Sequence, residues 1–212
     1  MAAITVTVAN FIQGTRIKQG IACETIERGQ SIAINPANSS KIGLCDANDS
    51  VNTWRNRSAG IAVSRAEGDG QIIDYQDDDE VTFGSGVLDQ GMFYVAGRSQ
   101  GDISPITDFA TQTITNKALT SNVATLTTFD DHNFVVGDQV KVSGVDSTFN
   151  GTYTITVVPS SKTFRYAKTA GDVSSTSTTG SAKTAAVMNL LGYAQDTSVF
   201  VLSLNATGIN RV

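Results

Sequence analysis

Near the start of the chain, Ile4, Val6 and Val8 alternate with Thr5 and Thr7. A period of two puts apolar side chains on one face of a strand and hydroxyls on the other. Short runs of strand-forming residues follow at Ile17 to Ile26, Ser31 to Ile34, Gln71 to Tyr75, Val81 to Phe83, Met92 to Val95 and Val199 to Leu204. Turn clusters separate them: Glu27-Arg28-Gly29-Gln30, with a glycine suited to positive φ, Asp69-Gly70 and Gly84-Ser85-Gly86. One stretch predicts a helix. Asp46-Ala47-Asn48-Asp49-Ser50 offers a cap for two or three turns through Trp54 to about Ala59, with Gly60 as the C-cap. The pattern predicts an all-β, mainly antiparallel fold: a small β-barrel or sandwich with one short helix.

A second pattern lies inside the first. Of 26 Thr, 17 fall between Thr111 and Thr184. Residues 1–110 carry 8 Lys and Arg against 14 Asp and Glu, whereas 111–184 carry 6 against 5. These shifts divide the chain into a domain at 1–110 that closes with 185–212, and an inserted small β-barrel at 111–184. Within the insert, Asn122 to Thr127, Gln139 to Ser143, Thr152 to Val157 and Thr163 to Tyr166 predict four or five strands, with Pro159 ending the third. Asn150-Gly151 predicts a type I′ hairpin turn, because both central residues there need φ > 0. Thr111 to Asn116 and the low-complexity run Ser174 to Ser181 predict flexible polar straps. Straps of that kind imply a module projecting outward from the domain that carries it.

Composition narrows the function. The 212 residues carry a net charge of −5 with no basic stripe, which argues against nucleic-acid binding. No apolar run approaches the roughly 18 residues of a membrane helix, and no secretory pattern follows Met1. Cys23 and Cys45 are too few for a disulfide scaffold or a Cys-rich zinc site, and read as reduced thiols of a chain made in a cytoplasm, with one disulfide as the alternative. His132, the only histidine, reads as a turn residue and is the one residue a hydrolytic triad would have to use. Asp77-Asp78-Asp79-Glu80 reads as a solvated turn, with a metal site or docking patch as the alternative, and lacks the spacing of a calcium loop. No glycine cluster has the strand and helix that a phosphate cradle needs. The three glycosylation triplets, at Asn38, Asn56 and Asn205, read as chance. No enzymatic activity, cofactor or metal is expected. Interaction chemistry is expected at the alternating N-terminal strand (Ile4, Val6, Val8 and Phe11), which suits addition to a sheet edge, and at Trp54 with Arg55 and Arg57. Trp54 reads equally as core or as interface.

The order of motifs adds a resemblance. Gly29-Gln30-Ser31-Ile32, Asn38-Ser39-Ser40-Lys41 and Cys45-Asp46-Ala47 lead to Gly60-Ile61-Ala62-Val63-Ser64-Arg65-Ala66 and Gly68-Asp69-Gly70-Gln71. Gly91-Met92-Phe93-Tyr94-Val95-Ala96, Gly101-Asp102-Ile103-Ser104-Pro105 and Leu191-Gly192-Tyr193-Ala194 follow. This series resembles the head-decoration (cement) proteins of tailed bacteriophages over about 1–110 and 185–212. Val63 stands where Leu is usual, and Ala185 to Met188 replace a Gly-Asp-Tyr-Val. Asp131 to Asp138, Val142 to Val145 and Phe149 to Tyr153 resemble a small β-barrel module of phage structural proteins and of part of the ubiquitin-activating enzymes.

The resemblance implies a non-enzymatic virion protein on the outer capsid surface. It implies a homotrimer at local three-fold positions whose partner is the major capsid protein. The alternative reading is a head-fibre base or adhesin, in which Tyr153, Tyr166, Phe149, Phe164 and the Thr-rich faces of the insert bind a host-surface glycan or receptor.

Overall fold

A computed structural model describes residues 11–14, 16–49, 51–186 and 188–203, with backbone alone for 11–14. The fold is all-β with antiparallel sheets, and it divides into two compact units, Thr107–Ala186 and the chain on either side of it.

The flanking unit holds two sheets. One contains β2 (Lys18–Ile21), β3 (Ser31–Asn35), β4 (Lys41–Leu44), β5 (Ser58–Ala62) and β6 (Ile72–Gln76) in the order β2-β6-β5-β3-β4. Its two edges meet at a bridge between Ala22 and Ile42, so the sheet curls almost to closure. Ile26, Ile32, Ile42, Ile73 and their neighbours fill it. The other sheet contains β1 (Phe11–Gly14), β7 (Asp78–Phe83), β8 (Phe93–Ala96), β9 (Ile103–Pro105), β17 (Leu190–Ala194) and β18 (Val199–Ser203), in the order β1-β7-β18-β17-β8-β9. Alternation decides its faces. Val81, Phe83, Tyr94, Phe200 and Leu202 point into a core that also takes Ile61 from β5, with Phe83 and Tyr94 edge-on to Phe200.

Between β9 and β17 the chain builds the second unit. Its strands are β10 (Gln112–Thr120), β11 (Val123–Thr128), β12 (Gln139–Ser143), β13 (Gly151–Ser160), β14 (Thr163–Ala167), β15 (Val173–Ser177) and β16 (Ser181–Thr184). The order β11-β14-β13-β12-β16-β10 closes through β10–β11 into a six-stranded barrel. β15 and β16 run along the same edge of β10, interrupted at Gly180. Leu126, Phe134, Val140, Phe149, Ile155, Phe164 and Tyr166 fill the barrel. The first and last strands pair directly, Gln112 with Ala182 and Thr113 with Ser181, so the ingoing and outgoing chain lie one strand spacing apart, about 5 Å. On the flanking unit, Pro105 and Gly192 pair with opposite sides of Tyr94, two strand spacings apart, about 10 Å.

Several sequence expectations are corrected. Residues 47–48 and 53–56 form turns and 51–52 bends, not a helix: the side chains of Asp46 and Asp49 accept backbone N–H groups locally, and that competes with helix propagation. Among the described residues, the one helical turn is the 3₁₀ turn Ile106–Phe109. The expected straps at 111–116 and 174–181 lie largely in strands β10, β15 and β16. Pro159 lies within β13, where register shifts accommodate it. The type I′ turn falls at Ser121-Asn122, with φ of 51° and 64°, instead of at Asn150-Gly151. Around Asn150 the chain makes a wider loop. Asp146 Oδ1 accepts from the N–H of Thr148, and the Asp146 carbonyl accepts from that of Asn150. Lys117 closes the loop with an ion pair to Asp146.

Candidate functional site

Two places concentrate interaction chemistry. The first lies around Trp54 and Arg55, in the turns that replace the expected helix. Arg55 grips Glu24 through two bonds, Nη1 to Oε1 at 2.6 Å and Nη2 to Oε2 at 3.0 Å, and also donates to the Leu44 carbonyl at 3.0 Å. Asp49 Oδ2 lies 3.8 Å from its Nε. Glu24 accepts the Leu44 N–H as well, at 2.7 Å. The arginine side chain is only 14% exposed, so its charge is spent inside the unit. Its guanidinium stacks 4.5 Å from the centre of the Trp54 ring. Trp54 is half-buried and packs on Ala33, Cys45 and Ala96. A side chain at Gly43 would put Cβ 2.6 Å from the ring and 2.5 Å from Glu24, so it would have to displace the indole and the carboxylate. The indole is both a core plug and a partly exposed surface. Arg57, by contrast, is exposed.

Of the other expected contact residues, Ile4, Val6 and Val8 lie outside the described residues, and Phe11 is described only as backbone in β1, paired with Phe83. Both cysteines are free thiols. Burial pushes the thiols of Cys45 and Cys23 up, away from the reactive thiolate.

The second place is the outer face of the six-stranded sheet. Phe93 on β8, Tyr193 on β17, Val201 on β18 and Glu80 on β7 stand directly opposite one another in a row. Phe93 is 45% and Tyr193 38% exposed, with ring centres 6.2 Å apart. The residue pattern predicts a strand at Phe93 and gives Tyr193 only within a motif of the resemblance, and it misses the surface they form together. A one-residue bulge between Leu190 and Gly192 shifts the register of β17 and so decides which of its side chains face out.

The acidic run is spread along the start of β7. Lys18 Nζ meets Asp77 at 2.6 Å, and Arg16 lies 3.2 Å from Asp78 and 3.7 Å from Asp79. Among the described residues, no three His, Cys, Asp or Glu side chains converge as a metal site would need. His132 sits in the loop before β12, but it is buried. It stacks on Phe134 at 4.9 Å and meets the edge of Phe164 at 5.5 Å, while its Nδ1 accepts the Phe134 N–H at 3.0 Å. Phe149, Phe164 and Tyr166 are core residues of the barrel, and Tyr153 stacks on Tyr166 at 4.2 Å. Those aromatics hold the barrel together, and the three buried ones offer no ring to a sugar.

A titratable pair sits under the turns. Burial, then the neighbouring Asp46 carboxylate, pushes Asp102 up to about 6, and burial pushes Asp46 up too. Folding therefore favours the protonated acid at position 102. Its stabilising share is complete below pH ~4, the range of the unfolded group, and is lost as pH rises through about 6. We expect Asp102→Asn to melt like the parent at pH 4 and at a higher temperature at pH 8, with tryptophan fluorescence following the flanking unit. Equal melting temperatures at pH 8 would refute this linkage.

Comparison with protein-family models, curated proteins and solved structures found no match.

Proposed function

We propose that this is a non-enzymatic structural protein of a virion that binds the outside of an assembled capsid and reinforces it. The supporting observation is the Phe93–Tyr193–Val201 row. Its two aromatics lie in the Gly91 to Ala96 and Leu191 to Ala194 segments, two of those that carry the resemblance to decoration proteins. Exposed aromatics on a rigid sheet supply contact area at low entropic cost, as interface anchors do. The row meets the shell protein, and the alternating segment of residues 2–11 adds a second contact.

Weak contacts suffice. A single site of ~4 kcal/mol corresponds to a millimolar Kd. Three such sites joined in a homotrimer bind at high effective concentration, and only where shell subunits converge with matching geometry. Joining subunits from outside resists internal pressure, because separating them must also break the trimer.

The test is co-sedimentation with empty and expanded capsids of the encoding virus, together with the mass of the free protein. A trimer that co-sediments is expected, and Phe93→Ser with Tyr193→Ser is expected to lower occupancy at least tenfold while the trimer mass is unchanged. A monomer with no affinity for the particle, or undiminished binding by the double variant, would overturn the proposal.

A further inference from the structure

The barrel carries two lysines that answer to nothing else in the described structure. Lys141 on β12 and Lys183 on β16 stand directly opposite each other, and both are exposed. Their strand neighbours Val140, Val142, Ala182 and Thr184 point inward, so both ammonium groups leave the same outer face. Like charges placed directly across a strand pair destabilise it. Among the described residues neither lysine makes an ion pair, whereas Lys117 of the same barrel is matched to Asp146. The surrounding positions are hydroxyls and amides. Thr152 lies opposite Lys141 on β13, Gln139 lies one row away, and Ser143 and Ser181 form the row on the other side with hydroxyls 3.1 Å apart.

We infer that this face binds an acidic polysaccharide. The two lysines take its carboxylate or sulfate groups, and the hydroxyl and amide rows exchange hydrogen bonds with its sugar hydroxyls. An acidic polymer relieves the lysine–lysine repulsion that the fold leaves in place. Thr152, Gln139, Ser143 and Ser181 offer no aromatic ring to stack on a nucleic-acid base and no apolar side chain to enter a lipid surface; the exposed Phe129 lies beyond Ser181, its N–H donating to the Thr113 carbonyl. The inference rests on the barrel alone and is independent of shell binding, which involves other strands.

The test uses the full chain against two immobilised probes, heparin (sulfated) and polygalacturonate (carboxylated). Neutral dextran, duplex DNA and anionic phospholipid vesicles serve as comparisons. Binding to at least one acidic polysaccharide is expected, weakening as salt rises and falling at least tenfold in Lys141→Gln/Lys183→Gln. Lys18→Gln, in the other unit, should bind as the parent does. The double variant should melt no lower than the parent, since it loses only a repulsion. Failure to bind either polysaccharide, binding unaffected by the double substitution, or tighter binding to DNA or vesicles through the same lysines would each overturn the inference. None of these outcomes bears on co-sedimentation with capsids, so the two proposals fail separately.

Discussion

Gly192→Ala is expected to unfold the flanking unit while the barrel keeps its own transition. Gly192 lies mid-strand in β17, paired with Leu202 on one side and Tyr94 on the other. An alanine Cβ would sit 1.9 Å from the Val201 carbonyl oxygen and 2.9 Å from its carbon. Backbone on a paired strand cannot step aside as a flexible side chain would, so β17 and β18 must separate. Overpacking of this kind costs about 3 kcal/mol or more, a large part of a typical domain's stability. Trp54, the only tryptophan, reports the flanking unit, and Tyr153 and Tyr166 report the barrel. Gly68→Ala is the control, because a Cβ there meets nothing within 4 Å. If Gly192→Ala melts like Gly68→Ala, the close strand crossing is wrong.

Glu24→Ala should be the next most damaging change. It strands the Arg55 guanidinium in a largely buried position and leaves the Leu44 N–H without its acceptor. Removing one partner of such a pair costs about 3 kcal/mol, chiefly because the remaining charge stays desolvated. Since the guanidinium stacks on Trp54, the indole emission should shift as well. Replacing both partners, Glu24→Ala with Arg55→Met, should recover part of the loss, because no unpaired charge remains. Urea midpoints for the single and double variants measure this, and a double variant no more stable than Glu24→Ala would contradict the account.

Much of the fold is legible in the residue pattern, for a physical reason. Strands such as β12, β14 and β18 bury one face, so Val140 and Val142, Phe164 and Tyr166, and Phe200 and Leu202 alternate with outward residues. That alternation is visible without coordinates. β15 shows the limit. Its residues Ser174 to Ser177 are all exposed, and it is held by backbone pairing to β10, which leaves no mark on hydropathy. The missed turns show another limit. Asn150-Gly151 has the residues of a tight hairpin, yet Asp146 captures the preceding N–H groups and the chain takes a wider loop. Ser121-Asn122 makes the tight turn because β10 and β11 arrive in a register that demands two residues of positive φ.

The candidate surfaces divide in the same way. Trp54 and Arg55 stand out by residue type, but nothing in their spacing shows that Glu24, 31 positions away from Arg55, takes up the arginine's charge. Phe93 and Tyr193 are 100 residues apart in sequence and neighbours on one sheet face. Lys141 and Lys183 likewise become a pair only where β12 meets β16. Hydropathy and turn chemistry act over a few residues, so the sequence alone determined the all-β class and most strand positions. Strand order, register and bulges arise from contacts between distant segments, and only the tertiary structure decided which side chains share a face.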